Sequence, residues 1–108
     1  MNSNIDAEGR FSELVVFVRE QIGEYDMPIT RETLIEDGLG VTGDDAEDLI
    51  IAVGKKYNVD IRNFNFRKYF YDEPGIFNFK NRKIEPFTIS HLEKAIIAGR
   101  LDEEVINS

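Results

Sequence analysis

The stretch Asp37–Ile50, DGLGVTGDDAEDLI, decides how the chain is read. It carries a G-x-G-x-x-G pattern at Gly38, Gly40 and Gly43 and runs straight into Asp44, Asp45, Glu47 and Asp48. A glycine turn that opens a helix can cradle a phosphate, because unpaired backbone N–H groups and the helix dipole both favour an anion there. In a dinucleotide-binding unit the turn follows a buried strand inside a βαβ repeat. Here the preceding TRETLIED (30–37) is charged and lacks strand alternation. Carboxylates stand where a pyrophosphate would sit, and like charges repel. The G-K-[ST] ending of a Walker A loop is missing. The pattern therefore reads as a plain loop.

The acids do not read as a calcium site either. An EF-hand loop needs ligands at alternating positions around a glycine at the sixth, and the spacing from Asp37 to Asp48 does not supply that. What the stretch does predict is a helix over 44–57. Thr42 is placed to cap it, with Asp45 in the capping-box position. Acids in its first turn and Lys55 and Lys56 in its last suit the dipole. Ala46, Leu49, Ile50, Val53 and Tyr57 form the expected buried stripe. Asp44, Asp45, Glu47, Asp48 and Ile51 fall elsewhere on the cylinder and are expected to face solvent.

Working outward, residues 7–25 read as an amphipathic helix. Phe11, Leu14, Val15, Val18 and Ile22 share one face, Phe17 widens it, and Pro28 is the expected stop. A long connection over 26–43 follows, with a turn after Thr30 and with Leu34, Ile35 and Leu39 as core plugs; so long a connection in a small domain is often functional. NVDIRNFNFRKYF (58–70) predicts a brief third helix near 64–70, with Phe64, Phe66, Tyr69 and Phe70 too apolar to be left exposed together. Pro74-Gly75 marks a turn in an irregular insert, with a small hairpin near Asn81. A last helix begins after Thr88, which is the expected cap, with Ser90 and Glu93 as the competing box. Ile89, Leu92, Glu93, Ala95, Ile96 and Ile97 carry its pattern, Gly99 ends it, and the tail DEEVINS is expected to fray.

The 108 residues suit one domain, 1–108, with its core over about 7–98. Hydrophobic content of 42% argues against global disorder. Cysteine is absent, which excludes disulfides and thiol chemistry. No apolar run approaches a membrane span, MNSNIDAEGR does not read as a signal peptide, and the expected location is the cytoplasm. The net charge of −8 is uneven. Residues 1–61 carry 14 acids and 5 bases; residues 62–83 carry Arg62, Arg67, Lys68, Lys80, Arg82 and Lys83 against Asp72 and Glu73. An acidic body disfavours nucleic acid and anionic membrane and suits a basic protein partner, or simply solubility. FNFKNRK (77–83) mixes aromatics with cations as single-strand binders do, which makes the basic aromatic insert 62–83 a weak nucleic-acid candidate. His91, the single histidine, reads as a residue of the helix surface near the cap. Its neighbour Ser90 points elsewhere on the cylinder, so the two do not form a catalytic pair.

The order helix, long loop, acidic helix, short helix, final helix resembles an acyl carrier protein over about residues 7–98. Glu36-Asp37-Gly38-Leu39-Gly40 matches the loop before the second helix of carrier proteins, with one extra residue. Thr42-Gly43-Asp44-Asp45 falls on the Asp-Ser-Leu-Asp quartet, Asp48-Leu49 on the Glu-Leu pair, and Tyr57-Asn58-Val59-Asp60-Ile61 on the turn after the helix. The departure is at the centre. Gly43 occupies the position of the phosphopantetheine serine and has no hydroxyl; Asp44 replaces the motif leucine. With PFTISHLEKAIIAGRL (86–101), the acidic helix start and the KYF at 68–70, the chain resembles a bacterial, acyl-carrier-like family. That family is the domain-of-unknown-function family fourteen ninety-three, whose members often lack the serine.

The resemblance implies an all-α, acyl-carrier-protein-like four-helix bundle with an irregular insert before its last helix. No catalysis, no cofactor and no metal are expected. The expected role is a protein-binding or regulatory module that docks a basic partner through Asp44, Asp45, Glu47 and Asp48, with Ile51 as apolar anchor. The bland alternative is that these acids only favour the helix start and solubility. A different reading is a true carrier modified at another hydroxyl, such as Thr42.

Overall fold

The computed structural model describes residues 3–71 and 83–108. Among these the regular elements are five helices and no strand: α1 (Ser3–Ile22), α2 (Gly43–Tyr57), α3 (Phe66–Tyr69), α4 (Ile89–Ala98) and α5 (Glu103–Ile106). The chain is thus all-α, as its periodicity predicts, but two of the helices are single turns. The hairpin expected near Asn81 lies outside the described residues.

α1 buries Leu14 and Val18 fully, with Phe11, Val15, Phe17 and Ile22 packed against the same core. It starts earlier than the expected residue 7 and stops at Ile22, short of the expected 25. The stop is a left-handed cap and not Pro28. Gly23, at φ +72, donates its N–H to the Arg19 carbonyl at 2.8 Å, and Glu24 donates to the same oxygen at 3.3 Å.

α2 buries Ala46, Leu49, Ile50 and Val53. Tyr57 is only half-buried, its ring edge-on to Phe17 with centroids 5.9 Å apart. Burial and the Glu13 carboxylate push its phenol pKa up to about 12.

The connection between α1 and α2 is stitched to the start of α4. Ile35 donates to the Phe87 carbonyl at 3.0 Å, Ile89 to Thr33 at 3.1 Å and Ser90 to Arg31 at 2.9 Å. Two N–H groups at the start of α4 thereby find partners. The Arg31 guanidinium forks onto the buried Glu93 carboxylate at 2.7 and 3.3 Å and lies 4.3 Å from the Phe11 ring centroid. Glu93 is therefore a buried ion-pair partner of the connection and takes no part in capping.

Thr88 is the N-cap of α4, as expected, and the box partner, in place of the competing Ser90–Glu93 pair, is His91. Its Nδ1 accepts the Thr88 N–H at 3.0 Å, and its ring lies 5.3 Å from that of Phe87. Of the apolar pattern on this helix, Ile97 is 67% exposed and does not join the core.

Phe64, Tyr69, Phe70 and Phe87 form one aromatic cluster, with Phe64 and Tyr69 stacked at 5.5 Å. Phe64, Tyr69 and Phe70 are buried as expected, Phe66 is half-buried, and Phe87, which the sequence reading did not include, joins the cluster.

The tail is not frayed. Gly99 ends α4 as expected, Asp60 donates to the Gly99 carbonyl at 3.0 Å and accepts from the Leu101 N–H at 2.8 Å, and α5 follows. Asp102 caps α5 by accepting the Val105 N–H at 3.0 Å. Val105 and Ile106 are buried, so the core continues past residue 98. The Glu103 carboxylate accepts the buried Tyr69 hydroxyl at 2.7 Å and pairs with Lys68. Lys68 first, then Tyr69, hold its pKa below the usual carboxylate range.

This bond makes a prediction. Glu103→Ala leaves the Tyr69 hydroxyl stranded and is expected to cost about 1–3 kcal/mol in urea unfolding. Adding Tyr69→Phe is expected to recover most of the loss. Additive losses in the double variant would refute the pairing.

Candidate functional site

The glycine-rich loop folds tightly onto itself. Gly38 and Leu39 both donate to the Leu34 carbonyl, at 2.9 and 3.0 Å, and Val41 donates to Ile35 at 3.1 Å. A Cβ at Gly38 would lie 2.5 Å from the Leu34 oxygen, so no larger residue fits. Gly43, the first residue of α2, has φ +55, in the left-handed region that side chains avoid. The glycines thus serve backbone geometry, as the sequence suggests.

The start of α2 is filled by the chain itself. The Tyr71 carbonyl accepts both the Gly43 N–H and the Thr42 hydroxyl, each at 3.1 Å. The Tyr71 N–H donates to the Glu36 carboxylate at 3.2 Å, and Glu36 is buried. Thr42 does not act as the expected side-chain cap on Asp45; its hydroxyl is turned to the segment after α3. Sequence reasoning missed this role of Tyr71 because its contacts are made by main-chain groups, which leave no side-chain signature, and that of Glu36 because its partner is the Tyr71 N–H.

Asp44, Asp45, Glu47 and Asp48 are all exposed. They do not form one face. Asp45 and Asp48 line a cleft of about 250 Å³ against the end of α1, together with Gln21, Ile22, Glu24 and Leu39. Asp44 and Glu47 line a shallower depression of about 160 Å³ on the other side, together with Phe66, Arg67 and Tyr71. Ile51 is half-buried, contrary to the expectation of an exposed anchor.

Two cations of the basic segment pair with the protein's own carboxylates. Arg62 forks onto Asp60 at 2.8–3.3 Å, and this holds the Asp60 carboxyl down at about 2. Lys68 pairs with Glu103. Lys83 is exposed, while Lys80 and Arg82 lie outside the described residues. Among the described residues no group of three or more histidine, cysteine, aspartate or glutamate side chains is arranged to hold a metal ion. No helix among them is long and apolar enough to cross a membrane.

Fold and site together define a small all-α domain whose acidic helix start is occupied by its own backbone. Residues 11–102 match the family described as protein of unknown function (DUF1493), and the chain belongs to that family. No curated protein and no solved structure gives a significant match.

Two outcomes are expected. Gly43→Ser forces a side chain into the left-handed region and is expected to destabilise the fold by about 1–2 kcal/mol. Equal urea midpoints for the variant and the wild type would show that the backbone there is free to relax. For His91, burial and then Lys94 push the pKa below its ordinary value. The neutral ring is the form that accepts the Thr88 N–H. A depressed folded pKa means stability is full above the unfolded pKa of about 6.5 and falls as pH drops through it towards the folded value. Urea midpoints measured down from pH 7.5 are expected to fall for the wild type. They are expected to fall less for His91→Gln, which keeps an acceptor that does not titrate there.

Proposed function

We propose that the chain is an acyl-carrier-like protein-binding module that has given up carrier chemistry. In this reading the helices pack as a modified carrier bundle, and the protein works in the cytoplasm without a cofactor and without catalysis of its own. It docks a basic surface of a protein partner through the start of α2. The observation that carries it is the combination at that helix: four carboxylates exposed over its first two turns, above a start that is glycine at the serine position and sealed by the Tyr71 carbonyl. Fixed carboxylates on a rigid helix steer a cationic partner and raise its rate of association.

The other readings find less support. A carrier arm on Thr42 would have to displace the hydroxyl from Tyr71, where it donates at 3.1 Å. Nucleic-acid binding by 62–83 would have to draw Arg62 and Lys68 from their acidic partners. Intact mass after incubation with coenzyme A and a broad-specificity phosphopantetheinyl transferase is expected to stay unchanged; a gain of one arm would favour the carrier.

The docking itself is tested by affinity capture from native lysate with wild type and with the triple variant Asp45→Lys, Glu47→Lys, Asp48→Lys. A partner held by the wild type and lost by the variant is expected. Equal capture by both would mean that these acids serve only the helix.

A further inference from the structure

No further inference is drawn: the strongest candidate, the apolar depression of about 350 Å³ lined by Ile97, Ala98 and Val105 between the end of α4 and α5, has its rim cations Lys94 and Arg100 already bonded to the Ser108 carbonyl and to Asp102 and Glu104, and nothing in the structure shows what covers it.

Discussion

Three backbone hydrogen bonds hold the connection between α1 and α2 against the start of α4: Ile35 to Phe87, Ile89 to Thr33 and Ser90 to Arg31. A connection of this length would otherwise leave many main-chain groups without partners. Here those groups serve α4, whose first N–H groups need acceptors. The same stitch brings Arg31 to Glu93, so a charge on the connection is neutralised by a charge on α4. It also fixes Ile35 in the core beside Phe87, and the glycine loop closes on the next residues of that segment. The position of α2 relative to α1 and α4 follows from it.

The aromatic cluster completes the arrangement from the opposite direction. Phe64, Tyr69, Phe70 and Phe87 fill the centre with rings. Tyr69 then reaches out to Glu103, and Tyr71, two residues later, reaches the start of α2. The short helix α3 thus ties the tail to the acidic helix start, although it is only four residues long. Its small size is compatible with this role because its contacts are tertiary and owe little to helix propensity.

What was legible in the sequence divides along the same line. α2 was legible almost to the residue, because its signals are local: an apolar stripe, acids first and lysines last. The aromatic cluster was legible in part, because rings as crowded as those at 64–70 cannot all stay in water; the part Phe87 plays in it was not, since that ring comes from a distant segment. The end of α1 was misjudged because Gly23 is a sharper stop than Pro28, and a single glycine after an apolar stripe is easily passed over. α5 was missed because DEEVINS has little local reason to be a helix. Its order comes from the Asp102 cap, from burial of Val105 and Ile106, and from Glu103 meeting Tyr69. Among the candidate site residues, exposure of the four acids followed from periodicity. Their division into two sites did not, because it depends on what α1 and α3 place on either side. Ile51 faces partly inward for the same reason.

The question posed by the glycine loop, cradle or plain turn, is settled by charge as much as by geometry. The start of a helix needs acceptors for its free N–H groups, and an anion, a side-chain oxygen or a carbonyl can supply them. An anion at this helix would face Asp44 and Asp45 at close range. A carbonyl carries only partial charge, so Tyr71 satisfies the Gly43 N–H without that repulsion. With the N–H satisfied from within, the carboxylates have no ligand to share the helix start with and can point outward. Glycine at 43, acids from 44 onward and the Tyr71 carbonyl are then one mutually consistent solution. A serine placed at 43 would not by itself free this helix start: the left-handed backbone there and the bound Tyr71 segment would both have to change with it.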